Sequence, residues 1–215
     1  MRGFILFLLF GMGVFALSLI GNKKYQTTTL YALAIGGVVN ANYFDAVSHP
    51  IDCFGLPFGI DSVIYTLFVF AVMVVLLKDT KKDAYLLAIS SIVAIMFSAL
   101  MELFAELLAN GSTVAIWVTF LTFAASALGS AVAVIPAVEI VARLKKKHSP
   151  YLCMAVGICI MTIINGAIDF PLTALVTSTP IQWVYVGTSF AGKGTGLVYS
   201  LIMLKILNTL KKKNH

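Results

Sequence analysis

The stretch that decides the fold is YLCMAVGICIMTIINGAIDFPLTALVTSTPIQWVYVGTSFAGKGTGLVYSLIMLKILN, residues 151–208. It begins with an apolar run from Tyr151 to Thr177, which ends at the break Ser178-Thr179-Pro180. A second apolar run follows from Ile181 to Asn208. Each run exceeds the roughly 20 residues that a helix needs to cross the hydrocarbon core of a bilayer. The stretch therefore predicts a hairpin of two membrane-spanning helices.

Each helix of this hairpin contains an ionisable residue far from its ends, Asp169 in the first and Lys193 in the second. An ionisable side chain in hydrocarbon costs roughly 3 kcal/mol or more, so such residues usually face a bundle interior or a wet cavity. At about 1.5 Å per residue both lie near the midplane or in the outer half. The pair marks a candidate polar site. The alternative interpretation is that the two charges only neutralise each other between the helices.

The composition of the whole chain fits the same class. Hydrophobic residues make up 60% of the sequence and charged residues 11%, and the mean hydropathy is +0.98. We therefore expect an all-α integral membrane protein, a single polytopic domain over residues 1–215 in the cell membrane, surrounded by the lipid bilayer. The six to seven predicted spans are residues 3–21, 27–44, 61–77, 84–109, 113–144, 151–177 and 181–208. A signal peptide is the alternative for the first of these.

The basic residues of the connections predict the orientation. Lys23 and Lys24 follow the first span, basic residues at 78–82 and 143–147 follow the third and fifth, and Lys211 to Lys213 close the chain. The intervening connections have no Lys or Arg. Because basic loops stay in the cytoplasm, the N-terminus is expected outside and the C-terminus inside. The net charge of +6 is thus assigned to topology, and no nucleic-acid partner is expected.

The segment from Asp45 to Ile60 is unusual because it is too broken for a helix and too apolar for a solvated loop. It includes His49-Pro50, Pro57 and Gly59. We expect it to dip back into the protein at membrane depth, with a lid or a plain loop as the alternatives.

Further polar residues are expected on the outer side together with the hairpin charges. They are Asp45, Glu102 and Asn165, the last one turn from Asp169. Glu102 and Glu106 have a second interpretation as interfacial residues wetted by lipid headgroups.

Two further features concern packing rather than catalysis. Glu139 is expected to pair with Arg143, four residues on. The run Gly192-Lys193-Gly194-Thr195-Gly196 lacks the strand and the spacing of a nucleotide-binding loop, so its glycines are expected to allow close approach of a helix or a flat ligand.

No catalytic or metal-binding arrangement stands out in the sequence. Cys53, Cys153 and Cys159 lack paired ligand spacing, and His49 is the single histidine away from basic segments. The protein is therefore expected not to be an enzyme, with no catalytic residue, no metal ligand and no cofactor.

The order of these features resembles the vitamin uptake transporter family, which includes bacterial queuosine precursor transporters. The resemblance covers residues 30–207. It is based on Asn42 in Val-Asn-Ala-Asn, Asp169 in Asn-Gly-Ala-Ile-Asp-Phe, and Lys193 in Ser-Phe-Ala-Gly-Lys. The chain departs from the family at Met73 and Leu77, where the family has acidic residues.

The resemblance implies import of a small flat heterocycle, most simply a 7-deazaguanine such as preQ0 or preQ1. Asp169 would then accept hydrogen bonds from the guanine-like edge of the ligand. Lys193 would orient Asp169 or bind a ligand carbonyl, and Asn42 and Asn165 would supply neutral donors and acceptors. The expected stacking partners are aromatic residues that include Tyr43, Phe44, Phe170, Trp183, Tyr185 and Phe190.

Two other functions stay open at this point. The chain could be the substrate-binding subunit of an ATP-driven vitamin transporter, docking on an ATPase module through the small residues of its fifth span. It could instead be a structural or assembly membrane protein. A homo-oligomer is also considered.

Overall fold

A computed structural model describes residues 2–16, 26–47, 51–110 and 113–213 of the chain. Over these ranges the protein is helical apart from one two-stranded hairpin. The elements are α1 (Arg2–Ala16), α2 (Gln26–Val47), β1 (Ile51–Cys53), β2 (Leu56–Phe58), α3 (Ile60–Lys78), α4 (Lys81–Asn110), α5 (Thr113–Leu144), α6 (Pro150–Thr177) and α7 (Trp183–Lys213).

Five of these helices are long and apolar enough to cross a membrane. Their candidate spans are Asp61–Lys78, Lys81–Ala105, Trp117–Leu144, Pro150–Thr177 and Trp183–Thr209. This confirms the prediction of an all-α, multi-pass membrane protein. The first two predicted spans coincide with α1 and α2, whose described apolar portions are shorter, and their role as membrane spans stays a prediction.

Helix α3 is the central element of the bundle and contacts all six other helices. Its residues 66–76 are buried, most of them completely. Each face of this segment therefore packs against protein rather than lipid. A polar group on α3 consequently lies inside the bundle rather than against lipid.

The segment before α3 differs from the expected irregular dip. Strands β1 and β2 pair antiparallel, and Phe54 and Gly55 form the turn with φ angles of 61° and 80°. Positive φ at both central residues is what a two-residue type I′ hairpin requires. Asp52 Oδ1 accepts a hydrogen bond of 2.7 Å from the Gly55 amide. Residues 45–47 continue α2, and 48–50 lie outside the described residues.

Contacts at the basic end of the bundle fix the relative directions of α3, α4 and α5. Lys145, just after α5, donates hydrogen bonds to the carbonyl oxygens of Leu76 (2.7 Å) and Asp79 (3.3 Å), at the end of α3. Lys81, at the start of α4, forms an ion pair with Glu139. The predicted pairing of Glu139 with Arg143 was therefore wrong, because a neighbouring helix supplies a closer cation.

Candidate functional site

A cavity of about 170 Å³ lies at the opposite end of the bundle from these basic contacts. The beginnings of α3 and α7 line it, together with the late part of α6, the earlier half of α5 and Ile95 of α4. Cavities of about 150 Å³ can hold a molecule of the size of benzene. The space therefore suits a small ring compound.

Two carboxyl groups and one amino group line this cavity: those of Asp61, Asp169 and Lys193. The Lys193 side chain is 5% exposed, whereas the two aspartates are half-buried. Both carboxylates are close enough to Lys193 to interact with it electrostatically. Among the described residues, however, no carboxylate comes within ion-pair distance of the Lys193 ammonium group. The cavity thus contains separated charges.

The ammonium group of Lys193 bonds to a neutral amide instead. Its Nζ donates a hydrogen bond of 3.2 Å to Asn165 Oδ1, and Asn165 Nδ2 donates one of 3.4 Å to Ser130 Oγ. This chain of contacts joins α7 to α6 and α6 to α5. Direct neutralisation of Lys193 by Asp169, the alternative interpretation of the hairpin charges, is not the observed geometry.

Aromatic rings surround the rest of the Lys193 head group. Its Nζ lies 4.8 Å from the ring centroid of Tyr65, 5.8 Å from that of Phe170 and 6.0 Å from that of Phe190. A cation within about 6 Å of an aromatic face is stabilised by the ring quadrupole. The rings thus help to keep an ammonium group inside an apolar bundle.

One fully buried polar atom of the cavity has no hydrogen-bond partner among the described residues. The Tyr65 hydroxyl group is buried, and no described protein group bonds to it. Ser130 lies close enough to interact with the Tyr65 hydroxyl group, but the two groups do not have the geometry of a hydrogen bond. Buried hydroxyl groups are nearly always paired. This hydroxyl is therefore available to a molecule in the cavity.

Further hydroxyl groups complete the polar lining. Thr173 Oγ1 donates to Asp169 Oδ1 at 3.4 Å, and Ser62 Oγ donates to Ser189 Oγ at 3.4 Å. Thr122 and Ser126 also face the cavity. The site consequently offers donors and acceptors on several sides, as recognition of a polar ring requires.

A second cavity of about 270 Å³ adjoins the first at the turn between α6 and α7. Phe170, Thr173 and Tyr185 line both cavities. We call the second cavity the vestibule. These three shared side chains lie between the vestibule and the charged cavity.

Five of the predicted site residues line the charged cavity: Asn165, Asp169, Phe170, Tyr185 and Lys193. Phe190 lies behind them, with its ring 6.3 Å from that of Phe170. Glu102 of α4 is not among the lining residues. Asn42 and Asp45 belong to α2, but their side chains lie outside the described part of the structure.

Sequence reasoning missed Asp61, Tyr65 and Ser130. Asp61 was interpreted as the start of the third span and Ser130 as one of several small packing residues. A signal was present on α3, where Asp61, Ser62, Tyr65 and Thr66 recur at helical spacing within an otherwise apolar run. Such a stripe predicts one polar face on a buried helix.

The fold and this cavity define the class of the molecule as a multi-pass, all-α membrane protein with a charged internal site. In the part of the chain that the structure describes, no group of three or more His, Cys, Asp or Glu is placed to hold a metal ion. Comparisons with protein-family models, curated proteins and solved structures found no match for the chain. Its resemblance to vitamin uptake transporters stays a prediction.

Proposed function

We propose that the protein is a carrier of the cell membrane, not an enzyme, that imports a small flat heterocycle through the charged cavity. The observation that supports this most is the series of hydrogen bonds from Lys193 to Asn165 and from Asn165 to Ser130. It lies in the same cavity as two carboxyl groups, inside a bundle of apolar helices. Buried charges are costly in a membrane protein, so they usually mark a functional site such as a binding site. A purely structural protein has no need of such a cavity.

The lining groups match the chemistry of a guanine-like edge. In this proposal the Asp169 carboxylate accepts two hydrogen bonds from the ring N–H and the exocyclic amine. Lys193, held by Asn165, donates to a ring carbonyl oxygen. Phe170 and Tyr185 stack on the ring as it passes from the vestibule. The proposed substrate class is 7-deazaguanines, queuosine precursors among them, or related nucleobases and vitamins.

The proposed topology places the vestibule outside the cell. Seven helices would cross the membrane, with the basic connections and the C-terminus in the cytoplasm. The charged cavity would then open outward through the vestibule and inward after rearrangement of the bundle, as in alternating access.

The alternative function, a substrate-binding subunit of an ATP-driven vitamin transporter, requires docking on an ATPase module through the small residues of α5. In the structure these residues pack within the bundle, where α5 and α6 form an extensive contact. A Cβ atom at Gly129 would lie 2.9 Å from Asn165 Nδ2, so this face has no space for another chain. We therefore favour a carrier that works without an ATPase module.

The experiment is a melting curve of the detergent-purified protein against deazapurines, purines and water-soluble vitamins. Ligand at a hundredfold excess over Kd should add about 2.7 kcal/mol to the free energy of unfolding. Asp169→Asn should lose this shift, while Glu139→Gln, which removes a carboxylate at the other end of the bundle, should keep it. Uptake of the radiolabelled compound into proteoliposomes should follow the same pattern. A shift that persists in Asp169→Asn would contradict the proposed site.

A further inference from the structure

We propose that the charged cavity is a cation-exchange site: when it is empty one carboxyl group holds a proton, and the ligand replaces that proton with a positively charged group. The inference rests on the proposed function, since it takes the cavity as the substrate site. It adds the charge of the substrate and the way in which binding is coupled to protons.

The first argument is the balance of charge. Two carboxyl groups, Asp61 and Asp169, share the cavity with one ammonium group, and the carboxyl groups also interact with each other. The other titratable groups of the lining are the hydroxyls of Tyr65 and Tyr185, and α4 and α5 contribute neutral side chains. An unbalanced charge inside a membrane bundle is costly. A proton on one carboxyl group makes the empty cavity neutral.

The surroundings of the two carboxyl groups assign the proton to Asp169. Asp61 lies in the first turn of α3, where the helix dipole stabilises a negative charge, and it balances the charge of Lys193. Asp169 lies well inside α6, and its described hydrogen-bond partner is the Thr173 hydroxyl group at 3.4 Å. Asp61 therefore stays ionised, and Asp169 is the exchangeable group.

The position of Asp169 also suits exchange with an incoming molecule. Its neighbour Phe170 and its partner Thr173 both line the vestibule. A ligand that passes these two residues meets Asp169, while the unpaired Tyr65 hydroxyl group lines the same space. The geometry therefore provides an accessible acid and a free polar partner.

The exchange conserves charge. A ligand that carries an ammonium group enters, Asp169 releases its proton to water, and the carboxylate accepts hydrogen bonds from the ligand. The total charge of the cavity is the same before and after. A neutral ligand of the same shape would either find Asp169 protonated or leave one negative charge uncompensated, so its binding should be weaker.

The protonated carboxyl group can be tested without any substrate. Dicyclohexylcarbodiimide reacts with protonated carboxyl groups inside membranes. We expect one carbodiimide adduct near neutral pH. Peptide mapping of the labelled protein with its natural sequence should locate the adduct at Asp169, and the Glu139→Gln variant should retain it. An adduct at Asp61 alone, or no adduct at either aspartate, would overturn the inference. Because mapping uses the natural chain, the test does not depend on the folding of Asp169→Asn.

The exchange itself is tested with a matched pair of compounds, 7-aminomethyl-7-deazaguanine, which is cationic, and 7-cyano-7-deazaguanine, which is neutral. The cationic compound should bind more tightly by about tenfold or more and release one proton per site in weak buffer. Its affinity should rise with pH, and it should protect Asp169 from the carbodiimide. Equal binding of both compounds at every pH would overturn the exchange and leave the proposed function intact.

If neither compound binds, 7-deazaguanines are not the substrate class. The exchange of a proton for a cation is then tested with butylammonium as the probe. Protection of Asp169 by butylammonium, but not by butanol, would support a site for positive charge. Absence of protection would overturn it.

Discussion

The ammonium group of Lys193 lies 3.2 Å from the side-chain oxygen of Asn165 and bonds to that neutral group rather than to a carboxylate. The amide holds the cation in the same cavity as Asp61 and Asp169, and neither carboxylate lies within ion-pair distance of it. Asp169 consequently stays available for a proton or a ligand, which a direct ion pair with Lys193 would prevent.

The bond between Asn165 and Lys193 should contribute measurably to stability. Asn165→Leu leaves the buried ammonium group without its acceptor, and we expect a loss of about 1–3 kcal/mol in the free energy of unfolding. Adding Lys193→Met removes the unpaired group, so the double variant should be less destabilised than the sum of the single variants. Unfolding of all four proteins in the same detergent measures the coupling. Additivity within about 0.5 kcal/mol would show that the two side chains act independently.

The glycines of α7 should differ sharply in their tolerance of a methyl group. A Cβ atom at Gly196 would lie 2.5 Å from Thr66 Cβ, whereas one at Gly194 would have no neighbour within 4 Å. Gly196→Ala should therefore destabilise the protein by about 1–3 kcal/mol, because α7 can no longer approach α3 closely. Gly194→Ala is the matched control.

We expect Gly194→Ala to be neutral or slightly stabilising, since alanine favours the helix. Thermal melting of the two variants provides the comparison. Equal melting temperatures would contradict the close approach of α7 to α3.

The hairpin turn depends on the backbone conformation of Gly55, whose φ angle is 80°. For alanine at this position, the left-handed conformation costs roughly 1–2 kcal/mol because of steric repulsion, and for asparagine it costs less. Gly55→Ala should therefore melt at a lower temperature than Gly55→Asn. Identical melting of the two variants would argue against the type I′ turn.

The thiol group of Cys53 should react slowly and in a pH-dependent way. Burial raises the pKa of this thiol, and the negative charge of Asp52 raises the pKa further. The reactive thiolate therefore forms only at higher pH than for an exposed cysteine, so maleimide labelling should accelerate from about pH 7 to about pH 9. A variant with Cys153→Ala and Cys159→Ala isolates the signal.

Asp52→Asn is the control for the charge, because asparagine keeps an oxygen that can accept the bond from the Gly55 amide. It should label faster at the same pH. Labelling of the folded protein at the rate of the unfolded chain would mean that Cys53 is not buried.

Much of the helical architecture was predictable from the sequence because hydrocarbon imposes a length and an apolar composition on every span. The five helices that are long and apolar enough to cross a membrane lie close to the predicted spans. Lys145 contacts Leu76 and Asp79, so the basic connections after α3 and α5 lie at the same end of the bundle. The hairpin at 51–58 was not predicted, since Phe54 is an unusual residue for a turn that needs positive φ.

The site was predictable where a charge interrupts a long apolar run, as Asp169 and Lys193 do. Asp61 was not predicted as a site residue because it lies at the edge of such a run, where acidic residues are common in the first turn of a helix. Glu102 was included on depth alone, although depth does not specify the face of a helix. Which polar residues meet depends on how the helices rotate and pack.

The sequence by itself determined the class of the protein and the two charges at the centre of its site, because the cost of burying polar groups in lipid is a local property of each segment. Only the tertiary structure decided that Lys193 bonds to Asn165, that Asp61 joins the cavity and that Glu139 pairs with Lys81. These contacts join different helices, and their geometry follows from the close packing of α3 against its neighbours rather than from any one segment.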